Sequence, residues 1–369
     1  MQRMPTYIHE LENWSNFTWR LDQLILPLGE VHLLQGRILG KMEALGFSLQ
    51  NEAVLETLTL DVLKTSEIEG EILSAEQVRS SIARQLGMEI AGSVPSDRHV
   101  DGVVQMMLDA TQNFSDKLTT ERLFNWHADL FPSGRSGMYS ITVGNWRTNK
   151  NGPMQVVSGA FGKEKIHFQA PDSSKIPAEM ALFLDWLNTN ESLDSVIKAG
   201  VAHLWLLTIH PFDDGNGRIA RAVTDLLMAR SDSSAQRFYS LSAQIRLDRN
   251  AYYAILEKTQ KGNLDLTDWL QWFLKTLIKA LKSTDQVLKR VLFKADFWQK
   301  NSSIPINERQ KKMLNKLLDG FDGHLTSNKW AKITHCSKDT AIRDLNDLIQ
   351  KNILKKDEAG GRSTRYILI

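Results

Sequence analysis

From Val196 to Ile209 the chain is apolar on nearly every face of a helical wheel, with Val201, Leu204, Trp205, Leu206, Leu207 and Ile209 leaving no polar stripe. That pattern predicts a helix buried on all sides. A residue before proline is pushed out of helical geometry. The helix is therefore expected to end at His210, which precedes Pro211, with its imidazole at the rim of the next loop. The helical period resumes near Arg218, where Ile219, Val223, Leu226 and Leu227 share one face. Arg218, Arg221 and Asp225 form a separate stripe, expected to line a cleft. Upstream, Met154–Ser158 and Lys165–Phe168 are two short β-prone runs around a glycine-containing turn region at 159–164. They predict a hairpin.

The same reading divides the chain into three regions and makes it mainly α. Residues 1–95 are mostly helical with short polar breaks, and Gly92-Ser93-Val94-Pro95-Ser96 punctuates their end. The aromatics at Tyr7, Trp14 and Trp19 are expected to pack this extension onto the rest of the protein. Residues 96–298 form a helical core. In residues 299–369 a helix is expected over Asn307–Leu318, a short one over Ser327–Ile333, and a third capped by Ser337 with Ile342, Leu345, Leu348 and Ile349 inward. Ile353–Lys356, a Gly360-Gly361 turn and Arg365–Ile369 then make a closing hairpin. A chain of 369 residues suits two or three such regions. Its net charge of +2 announces neither nucleic acid nor membrane. No stretch is long and apolar enough to span a bilayer, and no signal peptide is visible. The single cysteine, Cys336, excludes an intramolecular disulfide and suits a reducing, cytoplasmic location.

Chemistry concentrates at the junction of the two central helices. His210-Pro-Phe-Asp-Asp-Gly-Asn-Gly-Arg-Ile-Ala-Arg221 holds a base, a carboxylate, a Gly-Asn-Gly turn and two arginines. Imidazole titrates near neutral pH, so His210 is the candidate to take a proton from an incoming hydroxyl. Asp214 is the candidate ligand for Mg²⁺, which prefers carboxylate and phosphate oxygens. Gly215 and Gly217 permit a turn whose amides make an anion nest, and the helix N-terminus favours phosphate. Asn216 and these amides would steady the phosphates, and Arg221 would reach a terminal phosphate as a planar fork. These residues by themselves indicate phosphate transfer. His127 reads as a core histidine. His203 and His210 offer two ligands only, too few for the usual metal site.

The stretch resembles the signature of the Fic family, His-Pro-Phe-x-Asp/Glu-Gly-Asn-Gly-Arg-x-x-Arg, at every fixed position. The resemblance implies a Fic-type helical bundle with a small hairpin flap. It also implies transfer of AMP from ATP onto a Ser, Thr or Tyr hydroxyl of a protein, this protein included. His210 is then the base, Asp214 the metal ligand, and Gly215, Asn216, Gly217, Arg218, Ile219, Ala220 and Arg221 the ATP contacts. Leu247, which precedes the Tyr252-Tyr253 pair, is a candidate contact to the adenine. Thr65-Ser66-Glu67-Ile68-Glu69-Gly70 fits the family's inhibitory pattern Ser/Thr-x-x-x-Glu-Gly/Asn. There Thr65, Glu69 and Gly70 would close an inhibitory helix, and Glu69 would pair with Arg221. The hairpin after Gly144-Asn145-Trp146-Arg147 resembles the flap that pairs with a target's main chain. Family resemblance further leans toward a homodimer. Relatives with other donors, or that remove AMP, remain open alternatives.

The last region resembles a winged helix. Lys338, Thr340 and Arg343 would lie on the exposed side of its third helix, with Lys355, Lys356, Arg362 and Arg365 flanking the wing. Such cations suit DNA phosphates. Asp339, Asp344, Asp347, Asp357 and Glu358 dilute the face, which leaves a DNA-binding regulator and a protein-docking module level.

Overall fold

The structure, a computed structural model, describes all residues except 1–5, 45–46, 91–92, 151, 160–162, 164, 190–191, 320, 322 and 358–363. The expected turn at Gly360-Gly361, together with Glu358, Arg362, Gly92 and part of the 159–164 turn region, lies outside the described residues. The chain forms two compact units, Met1–Met88 with Pro95–Thr284, and Glu89–Val94 with Asp285–Ile369. The N-terminal helices and the central helices therefore belong to one body.

In the first unit the helices are α1 (Leu21–Glu43), α2 (Phe47–Ile68), α3 (Ala75–Gln85), α4 (Arg98–Gln112) and α5 (Thr120–Leu130). Short strands β1 (Arg135–Ser136) and β2 (Tyr139–Ser140) follow, then β3 (Gln155–Ser158) and β4 (Lys165–Gln169). The unit is completed by α6 (Ile176–Thr189), α7 (Ser195–Ile209), α8 (Asn216–Asp232), α9 (Leu241–Leu247), α10 (Arg249–Gln260) and the first part of α11 (Thr267–Lys300). Every residue of α7 from Val196 to Ile209 is buried, as its all-round apolar pattern requires. Asp194 starts this helix by accepting from the amides of Val196 and Ile197 at 2.9 and 3.2 Å. Trp269 on α11 donates its indole N–H to the Gly200 carbonyl at 2.8 Å and so fastens α11 along α7.

β3 and β4 pair antiparallel with a register shift between Val156 and Val157. A shift of this kind bends a strand locally. Beneath the hairpin Tyr7, Phe168 and Ala170 form a small core joined by Met154 and Val156. The N-terminal aromatics serve packing. Tyr7 meets Phe168 edge-on at 5.1 Å, and Trp14 and Phe17 meet Trp205 at 6.4 and 5.3 Å.

The second unit contains α12 (Glu308–Leu318), α13 (Ser327–Thr334), α14 (Lys338–Gln350) and an antiparallel pair, β5 (Leu354–Lys356) and β6 (Tyr366–Leu368). Leu325 bridges Tyr366 as a further extended contact. Met313, Leu314, Trp330, Ala341, Leu345, Leu348 and Leu354 make its core. Ser337 caps α14 by accepting from the Thr340 amide at 3.2 Å. Among the described residues no helix is long and apolar enough to cross a membrane.

Candidate active site

His210 closes α7 with a left-handed backbone, φ 51° and ψ 59°. That conformation is uncommon away from glycine. It turns the half-buried imidazole out of the helix run. Nδ1 lies 3.3 Å from the Leu207 carbonyl. A carbonyl only accepts, so Nδ1 carries the proton and Nε2 keeps its lone pair. Burial, reinforced by the Arg147 charge, lowers the imidazole pKa from 6.5 to about 4. The ring is neutral at pH 7 and ready to accept a proton.

The loop beyond is built from its own polar groups. Asn216 grips Phe212 in both directions, accepting its N–H at 3.0 Å and donating to its carbonyl at 2.9 Å. Gly215 has φ 80°, and a Cβ there would meet the Phe131 ring at 2.9 Å, so the turn is reserved for glycine. Ile219 makes the first bond of α8, to the Gly215 carbonyl at 3.0 Å. The amides of Asn216, Gly217 and Arg218 precede that bond and are left at the helix mouth. Asp214 sits beside this mouth. One of its carboxylate oxygens accepts from the Gly215 N–H at 2.6 Å and the other from the Ser136 hydroxyl. His127, fully buried and stacked on Phe212, donates from Nε2 to the Asp214 carbonyl at 3.2 Å and accepts the Gly144 N–H at Nδ1. Ser136 and His127 both support the loop. Neither has a spacing in the sequence that would reveal it.

An anion already occupies the mouth. Arg221, 1% exposed, donates Nε to the Thr65 hydroxyl at 2.7 Å, and Nη2 both to the Thr65 carbonyl at 3.0 Å and to Glu69 Oε1 at 2.6 Å. A Cβ placed on Gly217 would lie 2.1 Å from the same Glu69 oxygen. The carboxylate thus rests against the first turn of α8. α2 ends at Ile68, and Gly70 at φ 89° turns the chain away. Beyond the turn Glu71 accepts from Arg218 Nη1 at 2.7 Å. Glu71 also bonds His99 at 3.3 Å, and that bond raises the His99 pKa. Behind the clamp His203 is fully occupied, with Thr224 on Nδ1 and Tyr252 on Nε2, both at 2.8 Å.

One expectation is revised. Asp225 does not line a cleft: it is 3% exposed and bonded to Arg237 at 3.0 Å. Ile219 and Ala220 have fully buried side chains, so only backbone atoms of these two could meet a ligand. Leu247, at the end of α9, is 76% exposed. Asp214 and the neighbouring Ser136 hydroxyl are hard oxygen donors. One carboxylate completed by phosphate oxygens and water is a donor set that fits Mg²⁺.

Residues 117–228 match the family model described as Fic/DOC family, and residues 7–88 match a domain of unknown function, DUF4172. The protein adenylyltransferase fic-1 of Caenorhabditis briggsae is 31% identical over 211 residues, 57% of this chain and 38% of that protein. Its Caenorhabditis elegans counterpart is 30% identical over the same shares. The match thus spans about two fifths of the length of these relatives. A crystal structure of a Fic family protein from Desulfovibrio desulfuricans G20 superposes with a TM-score of 0.53, covering 94% of this chain and 96% of that one at 19% identity.

Proposed function

From a chain that belongs, through residues 117–228, to the Fic/DOC family, we infer a protein adenylyltransferase held off by its own Glu69. The observation that carries this reading is the anion seated at the mouth of α8. A buried arginine, three helix-mouth amides and a glycine that admits close approach form a phosphate cradle, and a carboxylate from α2's end fills it. The names of the worm relatives support AMP as the group transferred.

In this reading ATP lays its phosphates across the mouth, with Arg218 and Arg221 as planar cationic forks. His210 Nε2 accepts the proton of a target hydroxyl while the Nδ1–H bond to Leu207 holds the tautomer. The hydroxyl oxygen bonds to the α-phosphorus and pyrophosphate leaves. Asp214 would hold Mg²⁺, which supplies charge neutralisation on the phosphates. Glu69 on Arg221 denies the terminal phosphate its clamp. The hairpin β3–β4 offers an edge to which a target's main chain can add.

The test uses ATP labelled at the α-phosphate. Glu69→Gly is expected to raise label on protein at least tenfold, and adding His210→Ala to abolish it. The fold survives the first change because Thr65 keeps two bonds to Arg221. Unchanged labelling in Glu69→Gly removes the inhibition claim, and labelling that persists without His210 removes the base. Competition by other nucleotides in calorimetry decides the donor.

A second role is favoured by the second unit. Lys338, Arg343, Lys355 and Lys356 are exposed. Asp344 is buried against Arg309 at 2.8 Å and Asp347 bonds Lys351 at 2.5 Å, so two of the diluting acids are neutralised. We read this unit as a winged helix that contacts DNA phosphates. Duplex retention that falls steeply with salt would support it, and absence of retention at low salt would end it.

A further inference from the structure

Arg147 is 2% exposed and belongs to neither the signature nor the inhibitory segment. Its Nε donates to the His210 carbonyl at 2.7 Å, its Nη2 to the Pro171 carbonyl at 2.6 Å, and its backbone N–H to the Pro211 carbonyl at 2.9 Å. Nη1 is buried with no partner among the described residues. Arg147 stands before β3 and Pro171 follows β4, so these bonds draw both feet of the hairpin to the residue that carries the imidazole. A side chain joined to the hairpin and to the His210–Pro211 peptide fixes where a hydroxyl held by the hairpin meets Nε2. Burying a guanidinium is costly unless its bonds are made. Here the bonds converge on the one non-glycine left-handed residue of the loop.

We propose that Arg147 is a positioning residue for the proton transfer: its fork locks the left-handed His210 and ties both ends of the β3–β4 hairpin to it, so that base and acceptor hydroxyl are held in register. This rests on the reading of the site as an adenylyltransferase. Burial lowers the imidazole pKa, and the positive charge adds to that lowering. A lysine keeps the charge but loses the planar fork, and so separates geometry from electrostatics. A glutamine removes the charge.

The experiment measures α-label transfer in a Glu69→Gly background, alone and with Arg147→Lys or Arg147→Gln. Both are expected to lower kcat about tenfold or more while the KM for ATP stays within about twofold, because misplacement of a base by an ångström costs rate rather than binding. Arg147→Gln is also expected to move the acid limb of kcat/KM to higher pH, since removing a neighbouring cation raises the His210 pKa. Thermal melts give the folded fraction, and Arg147→Lys keeps the test open if the glutamine variant does not fold. Unchanged kcat overturns the proposal. A loss matching the folded fraction with an unmoved acid limb also overturns it, because it marks a purely structural arginine. If the Glu69→Gly parent transfers nothing, the adenylyltransferase reading fails. The Arg147–His210 coupling is then read by imidazole NMR titration, and an unmoved His210 pKa in Arg147→Gln would refute it.

Discussion

Arg218 is 2% exposed, yet Nη1 reaches Glu71 Oε2 at 2.7 Å while its guanidinium lies over the Phe131 ring at 5.1 Å. The short segment after α2 therefore covers both arginines of the cradle, Glu69 on Arg221 and Glu71 on Arg218. Glu71→Gln added to Glu69→Gly is expected to tighten ATP binding by about two- to fivefold in calorimetry, the worth of a partly exposed ion pair. An unchanged affinity would show that Glu71 yields Arg218 without cost. Thr65 and Glu69 were legible through the resemblance to the family's inhibitory pattern, whose spacing of four also sets them on one helix face. Glu71 was not. It lies past the helix end, where the left-handed Gly70 redirects the chain, and periodicity no longer says which acids turn inward. Arg147 is likewise hidden, since no spacing relates it to His210 and Pro171.

At the scale of elements, the pair α7 and α8 was readable in outline. An apolar run without a polar stripe is buried wherever it lies, and His210 before Pro211 ends it on steric grounds. The start of α8 falls at Asn216 rather than near Arg218, because the Asn216 side chain bonds Phe212's backbone in both directions and draws the helix back over the loop. Asp225 turns inward for a related reason: its partner Arg237 comes from beyond the helix, and a stripe of charge on a wheel does not reveal such a partner. Gly215 is the joint between the two helices. Gly215→Ala meets both a left-handed backbone at φ 80° and the Phe131 ring at 2.9 Å. The expected loss is about 1–3 kcal/mol in denaturant unfolding, with ATP binding lost as the mouth amides turn away. A variant of full stability that binds ATP normally would remove Gly215 from the architecture of the mouth.

At the scale of the whole molecule, a set of neutral histidines, the buried His127 and His203 with the half-buried His210, makes folding sensitive to acid. Burial lowers His127 and His210 to about 4 and His203 to about 3, against an unfolded value of 6.5. Between pH 6.5 and about 4 the unfolded chain binds protons at these positions and the folded chain does not. Their contribution to stability is present above 6.5 and is lost as pH falls through that window. Asp225 and Asp232 act in the opposite sense, since burial raises both. A difference measurement cancels their effect. His203 is the cleanest site, 1% exposed with its two nitrogens bonded to Thr224 and Tyr252. His203→Gln should lower the melting temperature at pH 7, because those bonds are remade imperfectly. Its melting temperature should then fall less steeply than the parent's from pH 7 to pH 4.5, because one proton-binding difference is gone. Parallel curves over that range would mean that His203 is protonated in the folded protein, and that the Tyr252–His203–Thr224 chain behind Arg221 is not the neutral one described.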